Sequence, residues 1–85
     1  MNIDYISSIA IGKNLRNLRL NFGYSQQEIS YMLDVTQTTY SKWESDLKTP
    51  NIRNIVKVSQ FFNVPLEEII FDNYHRKLSS LKTSA

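Results

Sequence analysis

Cysteine is absent from the 85 residues, and histidine occurs once, at His75. A disulfide framework and a thiolate metal site are thereby excluded, and one imidazole cannot build a zinc site unaided. Two glycines and two prolines leave no glycine-rich phosphate loop and nothing that reads as an interdomain linker. Repeats and low-complexity stretches are also missing. No apolar run approaches the roughly 20 residues that span a bilayer. The opening stretch MNIDYISSIAIGK lacks the basic region and long apolar segment of a secretion signal. Neither secretion nor membrane insertion is expected, and the cytoplasm is the expected location.

What is present describes a water-soluble globule: 41% hydrophobic, 21% charged and 12% aromatic residues, too apolar for a disordered chain. A chain this short buries only about 60% of its unfolded surface, so one small domain is expected and a second core is not. The net charge of +2 is modest but unevenly spread. Lys13, Arg16, Arg19, Lys42, Lys48, Arg53 and Lys57 outnumber Glu28, Asp34, Glu44 and Asp46 in the middle of the chain. Glu67, Glu68 and Asp72 gather later. A basic middle with an acidic flank suits an anionic partner such as nucleic acid. A solvated surface of mixed charges fits almost as well, so charge alone does not decide.

Hydrophobic periodicity predicts an all-α chain. Ile11, Leu15, Leu18 and Phe22 step by four, three and four, which places them on one helical face. Ser8 is the expected N-cap and Gly23 the stop. Ser25 and Glu28 form a capping box for a second helix from about Gln26 to Leu33, with Ile29, Met32 and Leu33 inward. Tyr24 and Ile29 have hydrophobic-staple spacing, and Val35 and Tyr40 repeat it around the next cap, Thr36. Only Asp34 and Val35 separate the two elements, so two short helices meet at a tight turn. The third helix should run from Gln37 to about Ser45, burying Tyr40 and Trp43 and leaving Gln37, Thr38, Ser41 and Lys42 outside. Asp46 to Asn51 reads as a loop, since Pro50 disfavours a helical Thr49. Asn51 then caps a fourth helix that turns Ile52, Ile55, Val58 or Ser59, and Phe62 inward. Asn63 ends it, and Pro65 pre-sets a fifth, Leu66 to Phe71. Tyr74, Leu78 and Leu81 continue at helical steps, as an extra C-terminal helix or partner-binding stripe would, while Ser79, Ser80, Thr83 and Ser84 favour a loose tail.

The segment SQQEISYMLDVTQTTYSKWE, Ser25 to Glu44, resembles the helix-turn-helix of the phage Cro and repressor type, the Xre family. The likeness extends from Ile11 through Ile69. It rests on IGKNLRNLR (Ile11 to Arg19), the Ser-Gln opening of helix two and Val35-Thr36 before helix three. Glu44, Pro50 and the closing Val64-Pro65-Leu66-Glu67-Glu68-Ile69 complete it. Each feature alone is weak, but in this order and spacing they form a fairly specific signature. The resemblance implies a five-helix Cro/repressor-like bundle over 11–71, an N-terminal extension over 1–10 and a C-terminal tail over 72–85. It further implies phosphate contacts from Gln26, Thr36, Lys48, Thr49 and Asn51, and an internal ion pair, Arg19 with Glu44. Ser25 and Asn51 also serve as plain caps. Four positions depart from the pattern. Asp34 and Asp46 replace glycines, Ser30 replaces a small alanine, and Tyr40 replaces an aliphatic core residue. The two aspartates put negative charge near the expected DNA face, which weighs against affinity rather than fold.

The chemistry of the outer face leads the same way. A major groove about 12 Å wide admits one helix, if that helix protrudes and is braced from behind. Glutamine can bond adenine bidentately, and threonine offers a hydroxyl and a methyl. Gln37, Thr38 and Ser41 therefore suit base edges, and Lys42 suits guanine or phosphate. An ordinary solvated helix would carry more glutamate, lysine and alanine, which propagate helix better. Catalysis lacks a constellation: His75 sits in the tail, and the adjacent Glu67 and Glu68 point to different sides of their helix. No enzyme activity, metal, cofactor or small-molecule ligand is expected. The expected function is that of a sequence-specific regulator of transcription, a repressor acting as a homodimer on a palindromic double-stranded DNA operator. Phe62, Leu66, Ile70, Phe71 and Tyr74 are the dimer candidates. The alternative is a protein-interaction or antitoxin-like module on the same scaffold.

Overall fold

The computed structural model describes residues 9–72. Within them lie α1 (Ile11–Asn21), α2 (Gln26–Met32), α3 (Gln37–Glu44), α4 (Ile52–Phe62) and α5 (Leu66–Ile70). Among the described residues extended pairing is limited to a bridge between Ile9 and Phe71, antiparallel. The expected all-α, five-helix architecture is the one observed. The extra C-terminal helix, Tyr74 and His75 lie outside the described residues.

Caps set most of the boundaries. Ser25 Oγ accepts from the Glu28 N–H at 3.0 Å while Glu28 Oε1 accepts from the Ser25 N–H at 2.8 Å, closing the capping box on α2. Thr36 Oγ1 accepts from the Thr39 N–H at 3.1 Å at the head of α3. Asn51 Oδ1 accepts from the Asn54 N–H at 2.9 Å at the head of α4. Asn63 ends α4 in the left-handed conformation, φ 56°. Gly23, at φ 80°, ends α1 where a side chain would be strained.

The start of α1 departs from expectation. Its N-cap position is held by Ala10, which has no side-chain acceptor, so the capping role assigned to Ser8 is corrected. The Gly12 N–H instead donates to Asp46 Oδ1 at 3.2 Å, across 34 residues of sequence. A carboxylate at this end satisfies one of the four free N–H groups and opposes the positive end of the helix dipole. Asp46 reaches it from a left-handed backbone, φ 61°, immediately after α3.

Leu15, Leu18, Ile29, Leu33, Tyr40, Trp43, Ile55, Val58, Phe62 and Ile69 form the core. α1 packs on α3 and α5, α2 on α3, and α4 on α5. Three expected core positions are corrected. Met32 is exposed because α2 turns Ile29, Ser30 and Leu33 inward, and the small Ser30 lets the chain pack closely there. Ile52 is 65% exposed in the first turn of α4, ahead of the buried Ile55, Val58 and Phe62. Phe22 sits past the end of α1, exposed, with its ring edge-on to Phe62 at 4.8 Å.

The two ends of the described segment meet beside the first turns of α1. The Ala10 N–H donates to Ile70 O at 2.8 Å, and Asn14 Nδ2 donates to Ile69 O at 2.9 Å and Phe71 O at 3.0 Å. Lys13 pairs with Asp72 at 3.0 Å. Gly12 lets the head of α1 meet the tail of α3: a Cβ there would lie 2.6 Å from Glu44 O and 2.8 Å from Trp43 O. Gly12→Ala is therefore expected to lower stability by about 1–3 kcal/mol through overpacking, although alanine is the better helix former. The urea midpoint measures this, and an unchanged midpoint would contradict the close approach.

Candidate nucleic-acid interface

Helix α3 is held from behind by charge and by packing. Arg19 Nε donates to Glu44 Oε2 at 2.6 Å and Arg19 Nη2 to Glu44 Oε1 at 3.1 Å, a forked pair between the last turn of α1 and the last residue of α3. Arg19 Nη1 donates to Tyr24 O at 3.0 Å, and Gln26 Nε2 donates to Glu44 Oε1 at 3.0 Å. Both charged side chains are buried, where a planar guanidinium matched to a carboxylate is the geometry that offsets desolvation. Burial would raise the Glu44 carboxyl, but hydrogen bonds from Arg19 and Gln26 and the guanidinium charge hold it below the usual carboxylate range. The hydrogen bond to Glu44 raises the Arg19 guanidinium further still. The Tyr40 hydroxyl is buried near both charges, outside hydrogen-bonding geometry with any described residue, and burial pushes it well above the usual phenol range.

Tyr40 and Trp43 are buried on the inner side of α3, their rings edge to face at 5.9 Å. The opposite side carries Gln37, Thr38 and Lys42, exposed, and Ser41, half-buried, and these four line one open depression. The structure thus brings the four residues assigned to base reading onto a single surface.

The residues assigned to phosphate contact are placed less uniformly. Lys48 and Thr49 are exposed in the loop after α3. Thr36 and Asn51 are exposed with their side-chain oxygens engaged in capping, and Gln26 is half-buried with its amide on Glu44. Lys57 turns away, donating from Nζ to Leu33 O at 2.7 Å across the end of α2. Asp34 occupies the turn between α2 and α3 at φ 60°, exposed. Asp46, expected to burden the DNA side with charge, has its carboxylate directed at the head of α1. Among the dimer candidates, Phe62 is corrected: only 4% exposed, it belongs to this chain's own core and is not on offer to a second copy. Leu66, Ile70 and Phe71 are half-buried.

Gly12, Asn14 and the capping role of Asp46 were not legible in the residue pattern, because all three act across more than 30 positions. Among the described residues no group of three His, Cys, Asp or Glu converges as a metal ion would need. Among the same residues no helix is long and apolar enough to cross a membrane.

Two short helices joined by a tight turn over Leu33, Asp34, Val35 and Thr36, the second braced from behind and polar in front, define a helix-turn-helix module. A family model described as helix-turn-helix matches residues 15–69. The chain belongs to this helix-turn-helix family, of the Cro/repressor type, whose members are DNA-binding regulators of transcription and not enzymes. It is 33% identical over 58 residues to the transcriptional activator BcrR of Enterococcus faecalis, covering 68% of this chain and 28% of that protein. Over 69 residues it is 29% identical to the cryptic phage CTXphi transcriptional repressor RstR of Vibrio cholerae, covering 78% and 62% respectively. The chain thus spans less than two thirds of these relatives. Among solved structures it resembles the SOS-response repressor LexA of Eubacterium rectale, with a TM-score of 0.72 at 20% identity over 76% of this chain and 69% of that one. It also resembles the restriction-modification controller protein C.AhdI of Aeromonas hydrophila, with a TM-score of 0.66 at 22% identity over 76% and 98%.

The carboxylates give the acid response a sign. Glu28 is also lowered, by the hydrogen bond from the Ser25 backbone. A native value below the unfolded one stabilises the fold above the ordinary carboxylate range, near pH 4.3, and that stability is lost as pH falls through the native values. Urea midpoints between about pH 7 and pH 2 should fall on the acid side, with a shallower fall in Glu44→Gln. An equal slope in the two proteins would remove Glu44 from the acid response.

Proposed function

We propose that this chain is a cytoplasmic, sequence-specific regulator of transcription, a repressor, that reads the major groove of double-stranded DNA with α3 and acts as a homodimer on a palindromic operator. The observation that carries the reading is the single polar surface of Gln37, Thr38, Ser41 and Lys42, opposite the buried Tyr40 and Trp43. Amides and hydroxyls of this kind bond base edges, and Lys42 adds reach to guanine or phosphate. Lys48 and Thr49 beside the head of α4, with Gln26, Thr36 and Asn51, supply phosphate contacts that set register without reading sequence. The named regulators and repressors among its relatives support this assignment.

A lone module of this kind buries only about 600–1,000 Å² on DNA, so a second copy on a half-site about 34 Å away supplies useful affinity. Leu66, Ile70 and Phe71, on and just after α5, are the described residues assigned to that contact; Tyr74 lies outside the described residues.

Selection of random duplexes on the purified full chain should return a palindromic consensus, with affinity falling linearly against salt on a log-log plot. Gln37→Ala and Thr38→Ala are expected to relax base preference by about 1–3 kcal/mol per lost contact. Lys48→Ala should weaken all sequences alike and reduce the salt slope by about 1. Absence of any enriched sequence would favour the protein-interaction alternative.

A further inference from the structure

Beside the ion pair that steadies α3 lies a hydroxyl without an acceptor. Tyr40 is 0% exposed, and its Oη is enclosed near Arg19 and Glu44 with no hydrogen-bond partner among the described residues. Packing does not call for an oxygen there. The ring already fills the space against Trp43, and the Cro/repressor-type pattern carries an aliphatic residue at this position. A buried hydroxyl left unpaired costs as much as its lost hydration, and folded proteins rarely leave one so.

Of the two charged groups beside it, only one can accept. A guanidinium has donors alone. Glu44 Oε1 already accepts from Arg19 Nη2 and Gln26 Nε2, whereas Oε2 accepts from Arg19 Nε alone among the described residues. A carboxylate oxygen has room for a second donor. Tyr40 and Glu44 are four apart and therefore neighbours on one face of α3. We propose that Tyr40 is a positioning residue for α3, its hydroxyl donating to Glu44 Oε2 and fixing the carboxylate that ties this helix to α1. A slight turn of the ring or of the carboxylate closes the bond. Four donors on two oxygens then hold Glu44 against rotation, and the outer face with Gln37, Thr38 and Ser41 is held with it. That consequence rests on the reading of α3 as the helix that enters the major groove. Burial raises the Glu44 carboxyl, and the groups facing it that pull it down are Arg19 of α1, Tyr40 of its own helix and Gln26 of α2.

The test compares the full chain with Tyr40→Phe, which removes one oxygen and keeps the ring. Glu44 is titrated by carbon-detected NMR, urea unfolding is followed at about pH 7 and pH 2, and binding to the selected operator and to a random duplex is read by fluorescence anisotropy. The Glu44 carboxyl is expected to titrate higher in the variant. Its unfolding constant should rise about tenfold at neutral pH, as for one hydrogen bond to a charged group. That difference should shrink in acid, because a lowered carboxyl stabilises only above its native value. Operator binding should weaken about tenfold, the worth of one base contact, with the random duplex within twofold. An unmoved Glu44 titration with an equal or higher urea midpoint overturns the bond. A moved titration with operator preference intact overturns the positioning role and leaves the reading of α3 standing. A parent that selects no operator overturns that reading and the positioning role together.

Discussion

The buried pair between Arg19 and Glu44 is the constraint on which the rest depends. It joins the last turn of α1 to the end of α3, and Gln26 ties the head of α2 into the same carboxylate. Three helices therefore meet at one charged group. Side chains on a short helix can be aimed only if the helix itself cannot roll, and α3 has only 8 residues with which to resist rolling. Tyr40 and Trp43 fix its inner face by packing, and the forked pair fixes its end by direction. The outer amides and hydroxyls thereby acquire a set orientation without spending any of their own donors on the fold.

A second contact acts at the same end of α3. Its terminal carbonyls come within a glycine's reach of the head of α1, and the Asp46 carboxylate crosses the gap to a free N–H. The head of one helix faces the tail of another, so their dipole ends are of opposite sign. The residue that completes this contact stands in a left-handed conformation that costs an aspartate more than a glycine. The aspartate recovers part of that strain by capping, which accounts for its presence where glycine would be easier.

The five helices were legible because their signals are local. Caps at Ser25, Thr36 and Asn51, the stop at Gly23 and apolar steps of three and four all act within one or two turns. The outer face of α3 was legible for the same reason, since its polarity contrasts with Tyr40 and Trp43 on the inner side. Periodicity failed at the margins of the core, at Met32 and Ile52, where a position matches the stripe but the neighbouring helix does not extend over it. It also failed where sequence-distant groups meet. Ala10 offers no cap of its own, and nothing near it in the chain announces that Asp46 will supply one. Gly12 reads as an ordinary helix residue until the carbonyls of Trp43 and Glu44 are seen against it. Phe62 combined two roles in the sequence, core and dimer contact, and burial within the chain leaves only the first.

The Arg19–Glu44 pair orients α3. A double-mutant cycle with Arg19→Met and Glu44→Leu, read in unfolding free energy, measures that directly. Each single change strands a buried charge, so the double variant should be more stable than the summed losses imply, by a coupling of about 2 kcal/mol. Losses that simply add would show that the two side chains do not act as one, and that α3 is held by packing alone.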